Sequence, residues 1–324
     1  MLNRVADSIY WMSRYVERAE NVARFFDANF QLVLDGPPYV ENQWQPLISA
    51  TGDPAEFARR YGPATAQNAL EFLTFDLQNP NSILSCLQSA RENARRVREV
   101  ISSEMWLQLN RFYLMVKEGA SGPKNLDLAA DFLQEVKYSS HRFSGVSDAT
   151  MTHNTSWHFL QLGRMLERAD NVSRLLDIKY YALLRTSEGG DHSLDHIQWA
   201  AVLRSASAFE MYCKRQGQIS PAGVVEFLLL DREFPRSIQF SLRSARESLH
   251  QITGTPVGAF RDASEKLLGQ ICADLVFVTV EDIIQKGLHE YIDGFQTKLN
   301  QAAQSISEKF FVPANSPSVM SSPV

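Results

Sequence analysis

The segment RYVERAENVARFFD at residues 14–27 recurs as RMLERADNVSRLLD at residues 164–177, and this repeat sets the interpretation of the chain. Eight of its fourteen positions are identical: Arg, Glu, Arg, Ala, Asn, Val, Arg and Asp. Two further matches follow along the chain. Gln-Trp at 43–44 matches Gln-Trp at 198–199, and residues 72–92 match residues 227–247, both of which end in Ser-Ala-Arg-Glu. Because three blocks keep their order and nearly their spacing, we predict a tandem duplication.

Apolar residues recur at helical spacing through most of the chain, for example at Met12, Val16, Ala19 and Ala23. Helices are predicted over 4–34, 82–118 (with Ser82 as N-cap), 126–141, 155–185, 194–216, 221–230 and 236–252, with one or two more in 257–309. Loops are predicted over 142–154 and 187–192. No alternating apolar pattern is long enough to build a sheet. The sequence therefore predicts an all-α helical bundle, built from a tandem internal duplication with a pseudo-twofold relation.

The repeat also predicts the domain organisation. We expect residues 1–150 and 151–310 to be the two repeat halves, packed together as one domain. The segment 311–324 is rich in Ser and Pro, a composition typical of a disordered tail.

Composition excludes several classes of protein. No apolar run is long enough to span a membrane, and charges interrupt any secretion signal, so we expect a cytoplasmic protein without membrane contact. A net charge of -5 argues against nucleic-acid binding. The 32 basic residues include 23 arginines. Arginine pairs bidentately with carboxylate or phosphate, so this excess indicates either ordered ion-pair networks or recognition of small anions.

A row of polar residues lies on one face of the first repeated helix, at Arg14, Glu17, Arg18, Asn21 and Arg24. Its second copy is Arg164, Glu167, Arg168, Asn171 and Arg174. The neighbouring apolar positions differ between the copies, as in Tyr15/Met165, Val16/Leu166, Phe25/Leu175 and Phe26/Leu176. This pattern indicates that particular partners hold the polar groups, whereas the apolar groups need only a suitable size.

Two interpretations of this polar stripe remain open. In the structural one, Glu17 and Glu167 are buried carboxylates clamped by arginines of their own helices and of the two Ser-Ala-Arg-Glu segments (Arg91 and Arg246). In the functional one, the stripes face each other and line a polar cavity, where the glutamates bind an amine or act as a base and the arginines hold a carboxylate or phosphate. A stand-alone hydrolase or lyase using the glutamates as acid and base is a third option.

Sequence motifs for other chemistry are absent. The chain has no phosphate-binding Gly-rich loop, no GxSxG and no HExxH. Its three cysteines have no CxxC spacing, and its seven histidines are scattered, so we predict no metal site. Without an ATP-binding signature, the chain is not expected to be an ATP-dependent ligase by itself.

Three segments carry a family resemblance: residues 1–27, SARENARRVREVISSEMWLQLN at 89–110 and WHFLQLGRMLERADNVSRLLD at 157–177. Together they resemble the bacterial alpha-E family of all-helical domains, over about residues 1–310. Such proteins are typically encoded beside, or fused to, a circularly permuted ATP-grasp protein, often with transglutaminase-like peptidases. ATP-grasp enzymes activate a carboxylate as an acyl phosphate for attack by an amine. The resemblance therefore implies a role in making or modifying amide bonds, with no cofactor in this chain and with ATP and Mg²⁺ supplied through the partner.

The repeat and the resemblance together give the candidate site. Glu17 and Glu167 are its candidate catalytic residues. The candidate substrate-binding residues are Arg14, Arg18, Asn21, Arg24, Arg91, Glu92, Arg164, Arg168, Asn171, Arg174, Arg246 and Glu247. One departure from the family pattern is His153, where the resemblance implies arginine; an anion there would bind more weakly or in a pH-dependent way. The predicted function is that of a helical accessory or catalytic partner of an ATP-grasp system that binds an anionic ligand. The alternative is a non-enzymatic helical adaptor whose stripe is a structural ion-pair network.

Overall fold

A computed structural model describes residues 2–35, 44–51, 53–122, 126–184 and 192–312, and all regular elements in this part of the chain are helices. They are α1 (Asn3–Asp35), α2 (Trp44–Thr51), α3 (Pro54–Tyr61), α4 (Ala66–Leu70) with a following π-helical turn (Glu71–Phe75), α5 (Ile83–Arg96), α6 (Ser103–Ser121), a 3-10 turn (Leu126–Leu128), α7 (Ala129–Thr150), α8 (Thr155–Leu184), α9 (His192–Ser205), α10 (Phe209–Gln216), α11 (Pro221–Leu230), α12 (Ile238–Thr253), α13 (Ala263–Phe277), α14 (Val280–Lys286) and α15 (Leu288–Phe310). The all-α prediction is confirmed. The duplication stays a prediction from the sequence.

Helices α1 and α8 form the centre of the bundle. Helix α1 packs against α5, α7, α8 and α9, and α8 packs against α12 and α15. The two central helices approach closely at Gly163, where an added Cβ would overlap the carbonyl oxygen of Tyr10. Fully buried side chains of both helices, such as Met12, Leu162 and Leu176, belong to one contiguous hydrophobic core. This contact brings the two polar stripes together.

The turns before α5 and α12 have the same local design. The hydroxyl oxygen of Ser82 accepts a hydrogen bond from the Ser85 amide, as predicted, and that of Ser237 accepts one from the Phe240 amide. An N-cap of this kind stabilises a helix by about 1 kcal/mol. Each cap holds the end of a turn, and the residue just before the cap, Asn81 or Arg236, contacts a side chain of the central helix α1.

Two predicted helix boundaries in the first half are wrong. The helix predicted over 82–118 is two helices, because the chain leaves helical geometry at Val97 and the Ser102 hydroxyl caps a new helix at the Met105 amide. The loop predicted over 142–154 is helical as far as Thr150. Burial of Phe143 and Ser147 against the core favours the helix despite the Ser and Gly content of this segment.

The second half shows similar differences. The helix predicted over 194–216 breaks at Ser207, a non-glycine residue with φ of 50°. The segment 257–309 holds three helices, since a Thr279–Asp282 capping box begins α14 and Gly287, with φ of 96°, ends it. The predicted disordered tail from residue 313 onwards, Gln43 and most of the predicted loop at 187–192 lie outside the described residues. None of the described helices is long and apolar enough to cross a membrane.

Candidate functional site

The two polar stripes meet between α1 and α8 in a group of charged side chains, which we call the ER cluster. Its members are Arg14, Glu17, Arg18, Glu20, Arg24, Arg164, Glu167, Arg168, Asp170, Arg174 and Arg236. The side chains of Glu17, Glu20 and Glu167 are at most 2% exposed. Ion pairs buried this deeply are costly to break, because the remaining partner is left charged and unpaired.

Glu167 is held by two arginines of the opposite helix. Nε of Arg14 donates to Oε2 at 2.7 Å, and Nε of Arg18 donates to Oε1 at 2.6 Å. A further hydrogen bond comes from Nδ2 of Asn171 at 3.3 Å. Burial alone would raise the pKa of Glu167, but Arg14 and Arg18 outweigh it and lower the pKa to about 2. Glu167 is therefore an ionised anchor at neutral pH.

Glu17 is held in the reciprocal way by the second copy. Nε and Nη2 of Arg168 donate to its two carboxylate oxygens at 2.7 and 2.9 Å. Nη1 of Arg236 lies 3.5 Å from Oε1. The Glu17–Arg168 and Arg18–Glu167 pairs thus cross the helix interface in opposite directions. The structural interpretation of the sequence had placed the clamping arginines on the same helix as each glutamate, so the structure corrects the partners of Arg14, Arg18 and Arg168.

A third buried carboxylate, Glu20, was missed by the sequence analysis. Nε of Arg24 donates to its Oε1 at 2.8 Å, Arg236 donates to the same oxygen, and the Ser140 hydroxyl donates to Oε2 at 2.6 Å. Burial would raise the pKa of Glu20, but Arg236, a hydrogen bond from His141 and Arg24 together hold it well below its usual value. The sequence did contain an indication of this residue, because the aligned position is acidic in both copies, as Glu20 in the first and Asp170 in the second.

Arg164 belongs to the ER cluster but has no carboxylate of the described chain within hydrogen-bond distance. Its Nη2 donates to Gln161 at 2.5 Å, but the nearest recorded carboxylate oxygen, on Asp148, is 4.0 Å away. Its buried Nε has no hydrogen-bond partner among the described residues. Burial and the nearby charge of Arg168 lower the pKa of Arg164. Its copy Arg14, in contrast, is paired directly with Glu167. Asn21 likewise leaves its buried Nδ2 unpartnered within the described chain, although its copy Asn171 bonds to Glu167.

A polar cavity of about 200 Å³ adjoins the ER cluster, and we call it the Asp170 cavity. It is lined by Arg18, Val22, Ser49, Thr51, Asn81, Glu167, Asp170, Asn171 and Arg174. Oδ2 of Asp170 accepts from Nε of Arg174 at 3.0 Å. Oδ1 of Asp170 is buried and has no hydrogen-bond partner in the described part of the chain. The Arg174 side chain is 42% exposed and Ser49 is exposed, so these two residues mark the mouth of the cavity.

The two Ser-Ala-Arg-Glu segments make different contacts. Nε of Arg91 donates to Asn110 at 2.7 Å, and its guanidinium lies over the ring of Tyr113. Glu92 pairs with Arg95, and Glu247, which is 59% exposed, lies 3.8 Å from Arg243. Nε of Arg246 is buried without a hydrogen-bond partner among the described residues. The expectation that Arg91 and Arg246 clamp the two glutamates is therefore wrong, because Asn81 and Arg236, in the turns before α5 and α12, are the residues that reach the cluster from these segments. Binding by these four residues stays a prediction.

His153 lies on the surface, where its ring stacks on Trp157 with centroids 4.1 Å apart and a ring nitrogen contacts the carbonyl of Asp148. The described residues contain no group of three or more His, Cys, Asp or Glu side chains placed to hold a metal ion.

The sequence profile of the Alpha-E family, a predicted alpha-helical domain with a conserved ER motif, matches residues 1–311. The chain belongs to the Alpha-E family. Its sequence contains the Glu-Arg dipeptide twice, at Glu17-Arg18 and Glu167-Arg168. These are the two dipeptides that exchange partners across the α1–α8 interface. The dipeptide therefore has a structural role, because each glutamate pairs with the arginine of the other copy.

Similar proteins occur in mycobacteria. An uncharacterized protein of Mycobacterium bovis and one of Mycobacterium tuberculosis (strain H37Rv) are each 27% identical to this chain over 271 residues. The aligned region covers 78% of this chain but 30% of each relative. The chain therefore spans less than a third of the length of these relatives. No solved structure matches it.

Proposed function

We propose that this Alpha-E chain is a helical accessory partner of an ATP-grasp-type system that forms amide or peptide bonds. In this proposal it binds a small anionic ligand, an amino acid, peptide or acyl phosphate, beside the ER cluster. The bond-forming chemistry, together with ATP and Mg²⁺, belongs to a circularly permuted ATP-grasp protein, the partner that the family resemblance implies.

The observation that carries ligand binding is the charge balance of the ER cluster. The cluster holds seven arginines against four carboxylates, with a fifth carboxylate, Asp148, 4.0 Å from Arg164, in a chain whose net charge is -5. Positive charge that exceeds its counter-charge in a partly buried cluster favours the binding of an anion. The guanidinium of Arg174 contacts Asp170 through Nε and stands half-exposed at the mouth of the Asp170 cavity. Its terminal nitrogens have the fork geometry that suits a carboxylate or a phosphate.

The relatives support a function that this region carries out together with other parts of a longer polypeptide. In each mycobacterial relative, the region similar to this chain accounts for 30% of the polypeptide. That region is thus joined to more than twice its own length of other sequence. A helical unit that works next to a second domain fits this arrangement, and the resemblance supplies the ATP-grasp identity of the proposed partner.

In this proposal Glu17 and Glu167 position arginines and do not transfer protons. A general base must be able to accept a proton near the working pH, and the pKa of Glu167 is about 2. The oxygens of both glutamates are also occupied by arginine donors. The same saturation favours the second candidate function, a non-enzymatic adaptor in which the ER cluster only holds α1 to α8.

Co-expression with a circularly permuted ATP-grasp protein tests the proposal. The assay follows ATP-dependent phosphate release and amide formation with wild-type chain, with Arg174→Ala and with Arg142→Ala. Arg142 is a matched control, since its side chain is 54% exposed and pairs with Glu135. We expect Arg174→Ala to lower amide formation by at least about tenfold, while both variants still co-purify with the partner.

Two results would contradict the proposal. Equal amide formation with and without this chain would refute the accessory role. Full activity of Arg174→Ala, in a system that still requires the chain, would favour the adaptor instead.

A further inference from the structure

The repeat aligns Asn81 with Arg236, and this difference separates the two sides of the ER cluster. Arg236 reaches in from the turn before α12, donates to Glu20 and lies 3.5 Å from Glu17. Asn81, from the turn before α5, is shorter and accepts a hydrogen bond from Nη1 of Arg18 at 2.9 Å. One side of the cluster therefore contains a guanidinium where the other side has a small neutral amide.

The carboxylates on the two sides also differ in how their oxygens are bonded. Glu20, which has Arg236 beside it, is bonded at both of its oxygens. Its aligned counterpart Asp170 is bonded at Oδ2 by Arg174, while Oδ1 is buried without a partner among the described residues. A buried carboxylate oxygen without a donor is unfavourable. The cavity of about 200 Å³ lies on the Asn81 side, and Asp170 is one of its lining residues.

We propose that the Asp170 cavity binds a free α-amino acid as a zwitterion. The ammonium group donates to Oδ1 of Asp170, the carboxylate oxygen that has no hydrogen-bond partner among the described residues. The carboxylate pairs with the terminal nitrogens of Arg174 at the mouth. This inference rests on the proposed function, because it identifies the small carboxylate-bearing ligand of that proposal as a zwitterionic amino acid.

Charge and size both favour this ligand. The charged residues lining the cavity are Arg18, Arg174, Glu167 and Asp170, which balance in charge and match a ligand without net charge. Glu167 is already bonded by arginines, so Asp170 is the carboxylate that offers a free oxygen. Pockets for drug-sized ligands measure about 300–1,000 Å³, so a cavity of about 200 Å³ suits a single amino acid.

Binding to the purified chain tests this without any partner. The probes are L-alanine and its two halves, methylammonium and acetate, measured by calorimetry and by NMR of the Arg174 Nε–H group. We expect L-alanine to bind wild type and to shift the Arg174 signal, and each half to bind at least about tenfold more weakly, because each contacts one side of the ion pair.

Two variants remove the site by different routes. Asp170→Asn removes the negative charge that pairs with the ammonium group, and Asn81→Arg supplies the guanidinium that the other side already has. Both should weaken L-alanine binding by at least about tenfold, and Asn81→Arg should also raise the melting temperature. Asp27→Asn is the matched control, because Asp27 is also a mostly buried acid, 14% exposed, paired with Lys137.

The outcomes separate this inference from the proposed function. Unchanged binding in Asn81→Arg, or no shift of the Arg174 signal in wild type with L-alanine, would overturn the inference even if the chain supports amide formation with its partner. Binding as described, in a chain that has no effect on amide formation, would uphold the inference and refute the accessory role.

Discussion

Replacing Glu167 by Gln tests whether the ER cluster holds the bundle together. The change keeps the size of the side chain but removes the charge that pairs with Arg14 and Arg18. Both arginines are mostly buried, with side chains 13% and 23% exposed. We expect a folded but clearly destabilised protein, because two guanidinium groups lose their counter-ion inside the bundle.

The size of the effect follows from two independent estimates. A pKa lowered from 4.5 to about 2 corresponds to roughly 3 kcal/mol of preference for the ionised carboxylate in the folded state. Removal of one partner from a buried ion pair costs about 3–5 kcal/mol in other proteins. The free energy of unfolding should therefore fall by about 3–4 kcal/mol in Glu167→Gln.

The pH dependence gives a second signature of the same residue. Because folding lowers the pKa of Glu167, the folded state favours the ionised form. The resulting stability is fully present above the unfolded pKa of 4.5 and is lost as the pH falls towards about 2. The difference in unfolding free energy between wild type and Glu167→Gln should therefore shrink between pH 4.5 and about 2.

Urea denaturation followed by far-UV circular dichroism measures both effects. Glu135→Gln is the control, since Glu135 forms an ion pair with Arg142 but is 41% exposed, and an exposed pair contributes about 0–1 kcal/mol. A loss below about 1 kcal/mol in Glu167→Gln, no larger than in this control, would refute a structural role for the cluster.

Two further predictions concern other parts of the bundle. Gly163→Ala should lower the free energy of unfolding by about 1–3 kcal/mol through overpacking of α1 against α8. Gly145→Ala is the control and should be neutral or stabilising, because a Cβ added at Gly145 lies within 4 Å of no other atom. Equal effects of the two substitutions in urea denaturation would contradict the close approach of α1 and α8 at Gly163. The hydrogen bond to Asp177 raises the pKa of His289, so the stability from this pair is present below pH 6.5 and is lost as the pH rises through the raised value. NMR titration should place the His289 midpoint above 6.5 in wild type and lower in Asp177→Asn, and an unchanged midpoint would exclude Asp177 as the cause.

Helix content could be predicted from the sequence better than helix ends. Apolar periodicity identified α1 and α8 almost to their observed bounds. The missed boundaries depend on tertiary contacts that a local pattern does not contain. Gly145 and the nearby serines favoured a loop after residue 141, but burial of Phe143 and Ser147 extends α7 to Thr150.

The location of the candidate site could be predicted, but its pairing could not. A polar row that is kept while its apolar neighbours change pointed to the ER cluster. Arg14 and Glu17 are three residues apart, and that spacing permits a pair within one helix as readily as a pair across an interface. Only the approach of α1 to α8 selects the crossed pairs. Arg236 escaped prediction because it lies in a turn outside the repeated helix, at a position where the other copy has Asn81.

The crossed pairing limits which positions of the cluster can change. Each Glu-Arg dipeptide is bonded to the other copy, so a single replacement of Glu17, Arg18, Glu167 or Arg168 leaves a buried charge without its partner. Position 81 is under weaker constraint, because the Asn81 side chain contributes one hydrogen bond to the cluster from the end of a turn. A chain with two similar halves can therefore acquire different chemistry on its two sides at the Asn81 and Arg236 positions, while the crossed pairs continue to hold α1 to α8. The side that lacks the guanidinium is the side with the cavity, and this is the physical reason to look for a ligand at Asp170 and not at Glu20.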